Sequence, residues 1–169
     1  MTRAYAERKS SLVGVLIRII AGIALVAAIG QPPLAAGATT ERIVVDWHTG
    51  LAIYGFDPVA YFTDGMPRIG RPEFEYTFGG ATWRFRNEGN RAAFIDRPDV
   101  YMPEFGGYDP IGVARGLAAP GHPQFWLIAG QRLYLFRGAD SRTAFKADPA
   151  RSAADAGAGW PSVMKGLIP

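Results

Sequence analysis

The sequence predicts an α+β domain in which an antiparallel sheet is built from two duplicated β-hairpin–helix units. The chain repeats itself at an offset of 51 residues, so that Trp83-Arg-Phe-Arg86 matches Tyr134-Leu-Phe-Arg137 and Arg91-Ala-Ala-Phe94 matches Arg142-Thr-Ala-Phe145. Each copy contains two strand-like runs around a glycine-containing turn, followed by a helical pattern with a polar start. A repeat of this length indicates one supersecondary unit used twice.

Residues 1–38 are predicted to be a signal peptide or an N-terminal membrane anchor. Basic residues in 1–11, an apolar run and small residues at Ala36–Ala38 are typical of a cleaved secretory signal. The uninterrupted apolar run Ile19–Gly30 has 12 residues, whereas a membrane span needs about 20. Because Arg18 could snorkel and lengthen the span, the anchor alternative stays open. We therefore expect a periplasmic or secreted protein, with inner-membrane anchoring as the alternative.

Composition excludes several classes of function. Four of the 18 basic residues and one of the 15 acidic residues lie in residues 1–38, which leaves 14 of each sign in the remainder. The remainder has no basic excess, so nucleic acid is not an expected partner. The chain has no cysteine, which excludes disulfides, thiolate metal sites and cysteine nucleophiles.

The first unit has a clear hairpin pattern. Residues 39–50 are expected to form an extended N-terminal arm, and residues 51–165 one domain with repeats at about 55–101 and 107–150. Strands are predicted at Glu73–Phe78 and Thr82–Arg86, around a turn at Gly79-Gly80. A helix from Glu88 to about Asp96 follows, and Asn87 is expected to cap it.

The second unit repeats this order with a more apolar hairpin. Strands are predicted at Gln124–Ile128 and Arg132–Arg137, and Leu133–Phe136 are all apolar. A continuous apolar run predicts burial on both faces, which favours this hairpin as the centre of the sheet. Asp140 or Ser141 is expected to cap a helix that runs to about Ala147.

The tail of the chain gives a weaker pattern. Pro149 is expected to stop the second helix. Residues 151–159 are rich in alanine and glycine, and no element is predicted for them. Trp160-Pro161 is expected to fold back onto the core.

Five ordered motifs resemble the YHS domain of exported bacterial proteins. Trp83–Tyr101 is similar to the hairpin–helix core of that family, and Gly55–Phe62 is similar to its G-Y-D-P-V-A-Y-F opening. The tract Phe105–Tyr108, the second hairpin from Phe125 to Phe136 and the closing Trp160-Pro161 continue the match. The resemblance runs from about Leu51 to Pro161 and implies a YHS-like fold.

The resemblance implies little about chemistry. Metal binding is suggested for the family because related knuckles carry cysteines at the strand end and helix start. The matching positions here are Arg86, Asn87 and Asn90, and Asp109 stands where the exported family commonly has cysteine. These are not soft metal ligands, so no thiol-based metal site is predicted and no residue is assigned as a metal ligand. A hard or borderline metal held by His122 with Asp57 or Asp109 stays an alternative, and the cofactor is unknown.

Six residues in the two motif loops and the loop before the second hairpin are candidate ligand contacts. They are Tyr54, Asp57, Tyr61, Tyr108, Asp109 and His122. A pocket is expected where residues 54–62 meet residues 101–111, because aromatic walls with a few polar groups are typical of ligand sites. Core packing would explain the aromatic residues as well.

Two carboxylates leave two interpretations open. Asp57 and Asp109 occupy equivalent places in the two repeats, and with His122 they define a hydrolase-like alternative. An Asp before Pro also accepts backbone N–H bonds in a turn, and both repeats need the same turn. The function predicted first is a non-enzymatic binding module for a small ligand, a metal ion or a protein partner. A purely structural accessory domain at the membrane is the third interpretation.

Overall fold

Two β-hairpins, each followed by a helix, form the framework of the computed structural model, which describes residues 41–167. The strands are β1 (Arg71–Phe78), β2 (Ala81–Phe85), β3 (His122–Ala129) and β4 (Arg132–Phe136). The helices are α1 (Ala60–Thr63), α2 (Glu88–Asp96), α3 (Pro98–Tyr101), α4 (Pro110–Val113), α5 (Ala139–Ala147) and α6 (Pro149–Met164). Short 3-10 turns at Ile53–Gly55 and Glu104–Gly107 precede α1 and α4. The mixture of helices and antiparallel strands confirms the α+β class.

The hairpins form two separate two-stranded antiparallel sheets, so the prediction of a single sheet is wrong. The outer edge of β2 meets Leu51 at Thr82, and the outer edge of β4 meets Pro103 at Leu133, each through an isolated parallel bridge. One edge of β2 pairs with β1, and one edge of β4 pairs with β3. Leu51 and Pro103 lie at the other edges of β2 and β4, where the two hairpins would otherwise have to pair to form one sheet. The second hairpin is therefore a layer of its own and not the centre of a sheet.

Both hairpins contain the same irregularity in strand pairing. The register shifts between Arg71 and Glu75 of β1, and between His122 and Trp126 of β3. Such a shift is a β-bulge, which bends the strand and re-aims its side chains. The two bulges lie 51 residues apart, which is the offset of the sequence repeat.

The first hairpin has one apolar and one polar face, as its alternating sequence predicts. Trp83 and Phe85 are fully buried, and each ring centroid lies 5.1 Å from that of Phe94 on α2. On the opposite face Thr82 and Arg84 are half-buried. Only one side of this hairpin therefore contributes to the core.

The second hairpin is buried on both faces. All four residues of Leu133–Phe136 are buried, which confirms the prediction from their continuous apolar run. The two aromatic residues of this run pack on Phe145 of α5, with ring centroids 4.6 and 5.2 Å apart. The two leucines join the buried cluster around Trp83. The second hairpin thus separates the first unit from α5.

The two long helices after the hairpins begin differently. The side chain of Asn87 accepts a 2.8 Å hydrogen bond from the backbone N–H of Asn90, which confirms the predicted cap of α2. The N-cap of α5 is Gly138, and no side chain caps it, so the predicted cap by Asp140 or Ser141 is wrong. Both residues lie in the first turn instead, where the carboxylate of Asp140 interacts favourably with the helix dipole.

Helix α6 includes residues 151–159, for which the sequence predicted no element. Its start has two local signals: the side chain of Asp148 accepts a 3.1 Å bond from the N–H of Arg151, and Pro149 occupies the first turn. The helix packs closely on α4 at Gly159, where a Cβ would overlap the carbonyl oxygen of Val113. Packing against α4 thus adds to the local signals in holding this glycine-containing helix.

Trp160 near the end of α6 folds back onto the core, as predicted. Its ring centroid lies 5.7 Å from that of Phe105 and 6.1 Å from that of Tyr108. Val163 and Leu167 join the same buried cluster. The tail therefore covers the side of the second unit that faces away from the first.

The signal peptide or anchor expected in residues 1–38 lies outside the described residues. Within residues 41–167, no helix combines the length and the apolar character needed to cross a bilayer. The described part of the arm is anchored: Ile43, Val44 and Val45 are buried, and the N–H of Val44 donates to the carbonyl of Gly106 at 2.8 Å.

Candidate functional site

Asp57 is a buried carboxylate whose two oxygens both accept hydrogen bonds from the protein. Its Oδ1 accepts from the N–H groups of Val59 and Ala60 at 2.8 and 3.3 Å. Its Oδ2 accepts from the N–H of Arg86 at 2.8 Å and from Nδ2 of Asn90 at 2.6 Å. The side chain is 0% exposed, and a buried charge needs such partners. Asp57 therefore ties its own turn to the end of β2 and the start of α2.

Asp109 makes the matching contacts in the second unit. Its Oδ1 accepts from the N–H of Ile111 at 3.0 Å, and its Oδ2 accepts from the N–H of Arg137 at 3.2 Å. The side chain is 2% exposed. Such bonds from backbone N–H groups are those expected if the Asp before Pro stabilises its turn. Neither carboxylate is presented to solvent, where a substrate would meet it.

Two of the predicted ligand contacts are buried tyrosines that anchor loops. Tyr61 is 1% exposed and its hydroxyl donates to the carbonyl of Pro123 at 3.1 Å. Tyr108 is fully buried and its hydroxyl donates to the carbonyl of Glu41 at 2.6 Å. Burial raises the pKa of Tyr61 well above its ordinary value, and the nearby Asp57 carboxylate adds to this effect.

The raised pKa of Tyr61 predicts a loss of stability in alkali. Above pH 10 the unfolded tyrosine releases its proton while the folded one keeps it, so the folded state binds more protons. The free energy of unfolding then falls as pH rises, by up to about 1.4 kcal/mol per pH unit for one group. Urea denaturation between pH 9 and 11 should show this fall, with a shallower slope in Tyr61→Phe. An equal slope in the variant would exclude Tyr61 as the source.

The structure brings Tyr54 and His122 together at the surface. Their ring centroids lie 6.4 Å apart, and that of Phe125 lies 5.7 Å from His122. Tyr54 is 36% exposed, and partial burial raises its pKa, with the charge of Asp46 adding to the shift. Within residues 41–167, no group of three or more histidine or acidic side chains is placed to hold a metal ion. The alternative of His122 with Asp57 or Asp109 as metal ligands thus has no assembled ligand set.

An open groove of about 430 Å³ lies beside the second motif loop, and we call it the arm groove. It is lined by Arg42, Ile43, Gly79, Asp99, Met102, Pro103, Glu104, Phe105, Gly106 and Trp160. The expected pocket lay between residues 54–62 and 101–111. These segments do touch, with Phe62 edge-on to Tyr101 at 5.4 Å, but only the second one lines the arm groove. The arm, Gly79, Asp99 and Trp160 form its other walls.

The turn Phe105-Gly106 forms one side of the arm groove and has an unusual backbone. Phe105 has φ 54° and ψ 32°, a left-handed conformation that is uncommon for a residue other than glycine. At Gly106, with φ 62°, a Cβ would overlap the carbonyl oxygen of Arg42. Only glycine therefore allows the arm to pack on this turn. Strained backbone of this kind occurs often at ligand sites.

Most of the charges around the arm groove are already paired. The Arg97 guanidinium hydrogen-bonds Asp99 at 3.3 Å and holds the pKa of that carboxyl below its ordinary value. Glu104 lies 3.5 Å from the guanidinium of Arg132. Arg42 is exposed and has no ion-pair partner within residues 41–167. The remaining lining is mostly apolar.

Five of the ten residues that line the arm groove lie in the segment 101–111 expected to form a pocket, but none of the ten is among the six predicted ligand contacts. The Gly-Gly tract at 106–107 was the one local signal, because adjacent glycines indicate an unusual turn. Arg42, Gly79 and Asp99 come from three distant parts of the chain and carry no local signal. Their meeting depends on the path of the arm, which contacts both the first hairpin turn at Gly79 and the second motif loop at Gly106.

Fold and site together define an α+β domain with a small open groove beside its core. No family model matches the chain, and no curated protein and no solved structure matches it either. The contacts and charges of the chain itself are therefore the basis for a functional proposal.

Proposed function

We propose that residues 51–165 form an exported YHS-like binding module that, together with the arm, holds a small apolar molecule in the arm groove. The proposal favours binding over hydrolysis because the carboxylates of Asp57 and Asp109 are occupied by hydrogen bonds within the protein. A general base must reach its substrate's proton, which a buried, fully bonded carboxylate does not do.

The arm groove is the observation on which the proposal rests. Its volume of about 430 Å³ falls in the range that suits small molecules. Ile43, Met102 and Phe105 give it apolar walls, and its acidic side chains are paired. A neutral aromatic or aliphatic ligand would therefore lose little polar solvation on entering.

The matching halves support a duplicated unit as the origin of this module. The strand bulges and the carboxylate contacts of Asp57 and Asp109 recur at corresponding places. A bulge and a buried side chain–backbone bond are specific features, which two unrelated hairpins would rarely share. The arm contacts both copies: Ile43 and Val45 belong to the buried cluster around Trp83, and the N–H of Val44 donates to the carbonyl of Gly106.

Binding can be tested with the neutral dye N-phenyl-1-naphthylamine, whose fluorescence rises in apolar surroundings. We expect the protein to bind the dye saturably, and Met102→Gln to weaken binding about fivefold by replacing apolar wall with a polar amide. The matched control is Met66→Gln, because Met66 is 42% exposed and does not line the arm groove. Thermal unfolding of both variants confirms that each is folded.

Either of two results would contradict the proposal. Absence of saturable dye binding would leave the structural accessory domain as the better interpretation. Equal loss of binding in Met102→Gln and Met66→Gln would show that the dye does not occupy the arm groove.

We further propose that the protein acts in the periplasm or is secreted, with membrane anchoring as the alternative. The support is the sequence pattern of residues 1–38. Mass spectrometry of the protein from its native host tests this: a mature N-terminus near Thr39 indicates cleavage, whereas an intact N-terminus indicates the anchor.

A further inference from the structure

A second groove, distinct from the arm groove, carries two unpaired positive charges. This α5 groove has a volume of about 340 Å³ and is lined by Trp126, Leu127, Arg142, Thr143 and Lys146. Within residues 41–167, neither Arg142 nor Lys146 has an ion-pair partner. Among the residues that the structure describes, no acidic one lines the groove. The local charge therefore favours an anionic occupant.

The corresponding place in the first unit is neutralised. Arg91 lies 51 positions before Arg142 and forms a 2.7 Å ion pair with Glu88 on the same helix. The position that matches Glu88 in the second unit is Ala139. Arg142 thus occupies the place of Arg91 without its internal counter-ion.

A further substitution adds the second charge. The position that matches Lys146 in the first unit is Ile95, which is 47% exposed. Arg142 and Lys146 are four residues apart on α5, so the two cations lie on one face of the helix. Around this groove the second unit therefore lacks the acidic residue found at the matching position of the first unit and has one more basic residue.

The other wall of the α5 groove is formed by Trp126 and Leu127 of β3. Trp126 and Leu127 are half-buried, and the Trp126 ring packs edge-on against Tyr61 at 5.3 Å. The indole is thus held in place while part of its surface remains open. An aromatic ring of a ligand can lie against it while an anionic group reaches the cations.

We propose that the α5 groove binds a small organic anion, with a phosphate or carboxylate on Arg142 and Lys146 and an apolar ring on Trp126. Arginine favours both head groups because its planar guanidinium donates two parallel hydrogen bonds. This site is independent of the arm groove, so either one can fail without the other.

The test is a titration of the purified full-length protein with phenyl phosphate and, separately, with 3-phenylpropionate. The shift of the Trp126 indole N–H resonance reports binding. We expect saturable shifts with dissociation constants in the millimolar range for at least one probe, on the order of what an exposed charge pair and one ring support. The tighter probe identifies the head group. Inorganic phosphate should bind more weakly than phenyl phosphate, because it lacks the ring.

Restoring the residues of the first unit should remove the site. Ala139→Glu supplies the missing counter-ion to Arg142, and Lys146→Ile removes the second cation. Each is expected to weaken binding about fivefold to tenfold. The matched control is Ala144→Glu, which adds the same charge to an exposed position of α5 outside the groove and should change binding less than about twofold.

Three outcomes would overturn the proposal. They are the absence of a saturable shift with both organic probes, equal affinities in the wild type, Ala139→Glu and Lys146→Ile, and inorganic phosphate binding as tightly as phenyl phosphate. Far-UV circular dichroism checks the fold of each variant. If Ala139→Glu does not fold, the comparison of Lys146→Ile with Ala144→Glu decides the question.

Discussion

Asp57→Ala is expected to lower the free energy of unfolding by about 3–5 kcal/mol. The substitution removes the acceptor for four donors, from Val59, Ala60, Arg86 and Asn90. A buried donor left without a partner costs about 1–3 kcal/mol, and water reaching the site recovers part of this loss. Urea denaturation followed by circular dichroism measures the change.

Substituting either of the two equivalent carboxylates should lower the free energy of unfolding, and the loss should be larger for the one that accepts more hydrogen bonds. Asp109 accepts two bonds where Asp57 accepts four, so Asp109→Ala should cost roughly half as much. Asp96→Ala is the control, because Asp96 is exposed and has no ion pair within residues 41–167; it should change stability by less than about 0.5 kcal/mol.

The same variants separate a structural role from a ligand-binding role for the carboxylates. If Asp57→Ala kept full stability and lost ligand binding, the contact role predicted from the sequence would stand and the turn interpretation would be wrong.

Gly159→Ala is expected to destabilise the protein by about 2–3 kcal/mol. A Cβ at this position would overlap the carbonyl oxygen of Val113, and that oxygen belongs to the backbone of α4 and does not move freely. Helix α6 would have to shift away from α4, which loosens the packing of Val163 and Trp160. Overpacking of this kind typically costs about 1–3 kcal/mol.

Gly157→Ala, two residues earlier on the same helix, should have the opposite effect. Nothing lies within 4 Å of a Cβ at Gly157, and its backbone is helical. Alanine there should stabilise the protein by about 0.5–1 kcal/mol, because glycine is a poor helix former. Thermal or urea unfolding of the two variants gives the comparison. Similar effects of both substitutions would show that α6 does not approach α4 as described.

Local patterns in the sequence predicted the hairpins because each pattern had a local cause. Alternation around Trp83 reflects one buried face, and the apolar run Leu133–Phe136 reflects two. The helix α2 was predicted with its cap, because Asn87 makes its capping bond within three residues. Elements whose stabilising contacts are close in sequence were therefore predictable.

Elements held by distant contacts were not predicted. The helix α6 contains Gly157, Gly159 and Pro161, which lower helical propensity, and its position depends on packing against α4. The separation of the hairpins into two sheets depends on Leu51 and Pro103, which take the outer edges of β2 and β4. Neither contact has a signature in the sequence near it.

In the candidate site, too, local contacts were predicted and distant ones were not. The Asp-Pro turns predicted the bonds of Asp57 and Asp109, because these form partly within each motif. The meeting of Tyr54 with His122 joins residues 68 positions apart, and the arm groove joins Arg42 to Trp160. Side chains so far apart in the sequence can be recognised as neighbours only from the tertiary fold.

The order in which the layers stack also limits how many copies of the β-hairpin–helix unit can pack on one another. The second hairpin presents Leu133 and Leu135 to the first unit, but the matching positions of the first hairpin are Thr82 and Arg84. At the far end, α6 lies over the cluster of Tyr134 and Phe145 through Ala153. A third copy of the unit therefore finds no free apolar surface at either end of the pair. The outer face of the first hairpin is polar, and α6 covers the outer side of the second unit, as in capped repeat arrays. Open-ended polymerisation by this contact is thereby disfavoured.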